Sequence, residues 1–330
     1  MSYERKKTTA SKNQFSLVSL PPMQSRIIGR YEGEESGPLL ICIAGIHGNE
    51  PAGLQAIDEI FRLLSIEKDF NPGFSYKGRF VGIRGNLPAI ALRQRFVDRD
   101  LNRMLLTHEQ ERIKSTPVDE WSSEDRESIE LVKAVEAEIA DYHPKATLIL
   151  DLHTTTADGG IFTIASTDVM SSRLAKGLHA PVILGFEKGV EGTTLHFFNK
   201  PNESIHCIVF EAGQHNDPQS VHRTAAAIVN CMRSIGSVES RDVDHRHDGI
   251  LISMSEGLPR VTELIHHHRI KDNEMFSMYP GFTNFQSVKK GDVLAVNQFG
   301  PIKSPYDALV LMPKYQPQGD DGFFLVRVIE

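Results

Sequence analysis

The chain has 330 residues, 40% hydrophobic and 24% charged, with a formal net charge of −7. This composition is globular and long enough for one large domain and a smaller one. Neither a nucleic-acid nor a membrane partner is expected, because the balance is acidic and no apolar run approaches the length of a span.

Residues 1–25 read as a polar lead-in, and Met1 to Phe15 lacks the apolar core of a signal peptide, so a cytoplasmic location is expected. Strand-like runs rich in Ile, Val, Leu and Phe follow at 38–45, 79–85, 146–152 and 205–211. Helical patterns lie between and after them. Residues 51–65 begin at Pro51 and place Leu54, Ile57, Ile60 and Phe61 on one face. Residues 123–142 follow a Ser122-Ser123 cap and repeat Ile129, Val132, Val135 and Ile139, and 217–235 form a third helix. Alternating strands and helices predict an α/β domain. The polar stretch 238–248 reads as a linker, dividing the chain into 1–245 and a smaller, mostly β domain, 246–330. Cys42 and Cys207 stand in apolar runs and Cys231 lies far from both, so buried thiols are expected rather than disulfides.

Three of the apolar runs end in groups that can do chemistry. Leu39–Ala44 leads into Gly45-Ile46-His47-Gly48-Asn49-Glu50, a histidine and a carboxylate able to grip one zinc ion, although the spacing alone is weak evidence. Leu148-Ile149-Leu150 delivers Asp151 and His153 to the same side of a strand, where Asp151 can fix an imidazole tautomer. Ile208-Val209-Phe210 delivers a lone Glu211, whose pKa its apolar neighbours should raise toward the range of a general base. Between them, Arg95 to Arg103 crowds three arginines, Asn102, Asp98 and Asp100. It reads either as a self-paired surface run or as a clamp for a carboxylate and a developing oxyanion. Together these pieces make a three-ligand zinc site with an open fourth position, a separate Glu for the proton, and an arginine for the scissile carbonyl.

The set Gly45-Ile-His-Gly-Asn-Glu50, Asn86-Leu-Pro-Ala89, Arg95 with Asp100-Leu-Asn-Arg103, Asp151-Leu-His153 and Phe210-Glu211 resembles the succinylglutamate desuccinylase/aspartoacylase family, relatives of zinc carboxypeptidases. The resemblance runs from about residue 26 to the end. It implies a mixed-sheet, zinc-carboxypeptidase-like α/β catalytic domain followed by a β domain that narrows the entrance. It also implies one zinc per chain on His47, Glu50 and His153, with Asp151 behind the ligands. Glu211 would be the base and then the acid, and Arg95 would polarise the amide carbonyl. Asn102 and Arg103 would bind the substrate α-carboxylate, with Asn86, Thr193 and His196 as further substrate contacts. The substrate is then a small N-acyl amino acid, and the oligomeric state, a homo-oligomer included, stays open.

Aspartoacylases carry an arginine about ten residues before the catalytic Glu; here Asn199 to Phe210 holds none, and Lys200 is the nearest cation. Gly192-Thr-Thr-Leu-His-Phe-Phe198 is closer to the desuccinylase pattern, so a desuccinylase-type amidohydrolase is expected, with an aspartoacylase-like deacylase or a small-peptide carboxypeptidase as the alternatives. A tyrosine of the second domain reaches the substrate in aspartoacylases, and Tyr306 and Tyr315 are the candidates here. His266-His267-His268 are expected in a solvated loop or edge strand rather than as metal ligands. His215 is expected near the pocket, and no covalent cofactor is expected at Lys289-Lys290.

Overall fold

A computed structural model describes residues 25–243 and 246–330. Most of the lead-in and two residues of the proposed linker therefore lie outside the described residues. Strands β1 (Ile27–Glu32) and β2 (Glu35–Ala44) lead into helix α1 (Ala52–Phe70), β3 (Lys77–Arg84) and the short α2 (Leu87–Leu92). Helices α3 (Thr107–Ser115) and α4 (Ser123–Tyr142) precede β4 (Thr147–Thr155), β5 (Phe162–Ala165), α5 (Val169–Lys176) and β6 (Val182–Leu184). Then come α6 (Thr194–Phe198), β7 (Ile205–Gln214), α7 (Gln219–Ser234) and α8 (Arg246–Ser255). The remainder is β8 (Val261–Arg269), β9 (Ser277–Met278), β10 (Ser287–Val288), β11 (Val293–Asn297), β12 (Gly300–Lys303), β13 (Ala308–Leu311) and β14 (Asp321–Val328).

Eleven strands form one mixed sheet in the order β1-β3-β2-β4-β7-β5-β6-β8-β14-β13-β10, and β12-β11-β9 form a small antiparallel one. The central strands β3, β2, β4 and β7 are parallel. Helices cover both faces, so these strands are apolar on both sides and read as continuous hydrophobic runs. Along β2, Leu40, Cys42 and Ala44 pack with Ala56, Ile57 and Ile60 of α1 and with Ala226 and Ile228 of α7. The alternate residues Leu39, Ile41 and Ile43 pack on the other face with Leu131, Val132 and Val135 of α4. A capping box closes the start of α4, with Ser122 and Asp125 bonding each other's backbone N–H. All three cysteines are buried and unpaired.

Residues 246–330 open with a helix rather than a strand, and β8 then pairs in parallel with β6. One sheet thus runs through the 245/246 division, and β14, β13 and β10 extend it antiparallel. The three consecutive histidines stand on β8, not in a loop, and pair there with Leu325, Phe324 and Phe323 of β14. Their rings are held by aromatic faces: His267 stacks on Phe324 and His268 on Phe323. Aromatic packing, not solvation, explains that run.

Candidate active site

Three neighbouring parallel strands end at one edge of the sheet. Ile43 of β2 stands beside Asp151 of β4, and His153 of β4 stands beside Glu211 of β7. The crevice at the carboxyl ends of parallel strands is where open α/β sheets bind ligands. Gly45 turns the chain out of β2 with φ +74°, a conformation that suits glycine. The following loop drops against α2 so closely that a Cβ on Gly48 would lie 2.0 Å from the Ala89 carbonyl carbon. That contact carries His47 and Glu50 over the ends of β4 and β7.

Glu50 sits between two imidazoles. Its Oε1 is 2.9 Å from His47 Nδ1 and its Oε2 is 3.1 Å from His153 Nδ1. Thr154 donates its backbone N–H to Oε2 at 2.8 Å. Each ring has a second carboxylate behind it. His153 Nε2 lies 2.9 Å from Asp151 Oδ2, which Thr194 Oγ1 also bonds, and His47 Nε2 lies 3.2 Å from Asp100 Oδ1. Burial alone would raise the Glu50 carboxyl; the His47 and His153 charges outweigh it and hold it well below the ordinary carboxylate range. One donor atom from each of His47, Glu50 and His153 lies within 4.8 Å of the other two, and all three residues are buried. Two imidazole nitrogens and a carboxylate converging out of water, each ring oriented by an outer carboxylate, is a donor set that fits a divalent metal such as zinc. Among the described residues this is the one such group.

Glu211 is 6% exposed, and its Oε2 bonds no protein group. Burial pushes its carboxyl up to about 8, against the pull of the His153 charge. Arg95 donates to Asp100 Oδ2 at 2.9 and 3.2 Å and brings Nη1 to 3.9 Å from Glu50 Oε1. Asn102 accepts the Thr194 N–H through Oδ1 at 3.1 Å. Arg103 pairs with Asp321 at the start of β14. His47, Glu50, Arg95, Asn102, Arg103, His153, Thr193, Glu211 and His215 all line one pocket. His215 points Nδ1 at Thr154 Oγ1, 2.6 Å away.

Asn86 and His196 do not reach that pocket. Asn86 is fully buried as the cap of α2, accepting the Ala89 N–H and donating to Glu124 Oε1 at 2.9 Å. His196 is exposed, and its Nδ1 accepts the Gly192 N–H. Lys200 follows the end of α6, is exposed and lies outside the lining as well. Neither expected tyrosine lines the pocket. The Tyr315 hydroxyl is engaged by the backbone of Tyr279 and Phe282, and the Tyr306 ring lies near His266.

Residues 312–320, between β13 and β14, supply what the tyrosines do not. Lys314, Gln316 and Gln318 line the pocket, joined by Asp321 at the start of β14, and Gln318 is bonded to the Arg95 N–H and the Phe96 carbonyl. These residues carry no local motif, so nothing in the sequence marked them. Glu124 was also missed. Its carboxylate accepts the backbone N–H groups of Val97, Asp98 and Arg99 at 2.7 to 3.1 Å, together with Asn86 Nδ2, and so pins the loop that carries Arg95 and Arg103.

Residues 36–235 match the family model described as Succinylglutamate desuccinylase/Aspartoacylase catalytic domain. The chain belongs to this family. A succinylglutamate desuccinylase of Pseudomonas syringae pv. tomato is 35% identical over 73 residues, which is 22% of this chain and 20% of the relative. The match thus spans about a fifth of that relative's length. The succinylglutamate desuccinylase structure from Vibrio cholerae has a TM-score of 0.62 at 18% identity, covering 89% of this chain and 82% of its own. The one from Chromobacterium violaceum has 0.61 at 15%, covering 92% and 94%. A product-bound ectoine utilization protein of Ruegeria pomeroyi has 0.61 at 16%, covering 91% and 88%. At these identities the structures share the desuccinylase/aspartoacylase fold with this chain. The family is one of hydrolytic deacylases, and no helix among the described residues is long and apolar enough to cross a membrane.

Proposed function

We propose that this family member is a zinc-dependent amidohydrolase that cleaves the amide bond of a small N-acyl amino acid, on a zinc-carboxypeptidase-like domain of residues 1–245 with 246–330 as its β partner. The observation that carries the reading is Glu50 placed between His47 and His153, with Glu211 beside His153 on the next strand.

In this reading His47, Glu50 and His153 hold one zinc ion, which when bound supplies Lewis acidity to water and to the carbonyl. Glu211 accepts the proton of the attacking water and then delivers it to the departing amide nitrogen. A neighbouring divalent charge favours its ionised form, offsetting the burial that pushes it up. Arg95 donates to the carbonyl oxygen as negative charge grows there. Asn102 and Arg103 face the substrate α-carboxylate, and Thr193 lines the wall beside them. Asp151 and Asp100 orient the two imidazoles.

A carboxypeptidase is the second reading, since the same groups serve a peptide bond. Residues 312–320 lining the site favour small substrates over long ones. We take the cytoplasm as its location and leave assembly into oligomers open. The test offers zinc-loaded protein N-succinylglutamate, N-acetylaspartate, other N-acyl amino acids and a peptide panel, with Glu211→Gln as the control. Release of a free amino acid from one acyl substrate, absent in the control, supports the proposal. Turnover of peptides alone would replace it.

A further inference from the structure

Arg103 does not stand free to receive a substrate. Its Nη2 is bonded to Asp321 Oδ2, and its Nη1 to the carbonyl of Asn102. The other oxygen of Asp321 lies 2.8 Å from His267 Nε2, and that ring is stacked on Phe324. Asp321 is thus a carboxylate held at both oxygens, on a strand of the main sheet, inside the pocket lining. Two other charged groups of the lining, Arg95 and Lys314, bear on the same end. Arg95 is paired with Asp100. Lys314 spends its ammonium on the carbonyls of Gln316 and Pro317 and has no carboxylate within ion-pair distance among the described residues. Asp320, the neighbour of Asp321, is exposed and outside the lining.

We propose that Asp321 is a specificity-determining residue: a resident carboxylate in the Arg103 clamp, which a substrate carboxylate must displace or tolerate beside it. This rests on the amidohydrolase reading above and sharpens its substrate class. Two carboxylates sharing one guanidinium repel each other in a pocket of reduced dielectric. Arg103 as it stands therefore discriminates weakly between a free carboxylate and its uncharged amide. Substrates that bring several negative charges to this end are disfavoured, and Lys314 is the cation left to meet a single one.

The test is the Asp321→Asn variant, which keeps the side-chain shape and an oxygen for His267. Zinc-loaded wild type and variant are compared on an N-acyl amino acid that the wild type hydrolyses and on its α-carboxamide. The expected result is a fall in KM of about tenfold for the free carboxylate, with kcat and the amide KM little changed, the size of one ion-pair interaction. A rise in KM for the carboxylate would mean that Asp321 merely positions Arg103, and equal shifts for both substrates would remove the charge argument. Both results overturn the proposal.

Acetate titration, followed as thermal stability, reads the clamp without any turnover. Acetate should stabilise Asp321→Asn more than the wild type, and Asp321→Asn with Arg103→Met should lose the gain. Equal acetate responses in all three proteins overturn the proposal even if no substrate is ever found. A wild type that hydrolyses nothing, with the acetate difference present, fails the amidohydrolase reading alone.

Discussion

Asp151 and His153 stand two residues apart on β4, and the carboxylate of the first holds Nε2 of the second at 2.9 Å, which leaves Nδ1 aimed at Glu50. The alternation of a strand makes this possible, because residues i and i+2 share a face. The fold thus fixes the orientation of the ring before any ligand arrives. Removing the outer carboxylate without changing its shape, as in Asp151→Asn, should therefore weaken zinc binding about 10- to 100-fold. Competition with a chromogenic chelator measures this, and an unchanged affinity would show that His153 needs no such support.

Glu211 lies beside His153 without being one of the three clustered donors. Glu211→Gln should keep one zinc per chain and lower kcat by at least about 10²-fold. Metal content by elemental analysis and kcat are read on the same sample. Retained turnover would assign the base elsewhere, and lost zinc would make Glu211 a ligand.

Glu124 is fully buried and bonds the backbone of Val97, Asp98 and Arg99. Glu124→Ala leaves those N–H groups without an acceptor and should cost on the order of 3 kcal/mol of stability. Activity should fall with it, since the same loop carries Arg95. Chemical denaturation gives the first quantity. A variant of unchanged stability would mean that the loop is held by its other contacts.

Gly48 has no space for a side chain against Ala89. Gly48→Ala should displace the His47–Glu50 loop and reduce zinc affinity more than it reduces the stability of the rest of the sheet. Zinc titration alongside thermal melting separates the two, and wild-type zinc affinity would contradict the contact.

The Asp321 carboxyl is raised by burial, but the Arg103 charge and the His267 hydrogen bond outweigh this and hold it well below the ordinary range. A depressed native pKa stabilises the fold above the unfolded value, about 3.9 for Asp, and that stability is lost as pH falls from there toward the native value. Wild type should therefore melt higher than Asp321→Asn at pH 5 to 7, and the gap should close below about pH 4. A gap that persists into acid would show that packing, not charge, separates them.

Much of the catalytic half was readable because its signals are local. Apolar runs at 38–45, 79–85, 146–152 and 205–211 each correspond to a central strand, and the Ser122 cap opens a helix at Ser123. The short β5 and β6 escaped, since a strand of three or four residues has too little length to show a period. Asn86 is expected at the substrate because its neighbours form a recognisable motif, while its own side chain caps α2 outside the pocket lining. His196 was drawn in the same way by a motif whose backbone, not its ring, faces the clamp.

By itself the sequence determined which chemistry is available: two histidines and two glutamates at or just beyond the ends of apolar strands, and an arginine-rich loop among them. Periodicity and spacing act over a few residues, so they are written in the chain. Tertiary structure alone decided what stands opposite each group. Asp321 meets Arg103 across 218 residues, and Gln318 meets the Arg95 N–H across 223. No local pattern encodes such a pairing; it follows from the order in which β8, β14 and β13 extend the sheet and return residues 312–320 to its active edge.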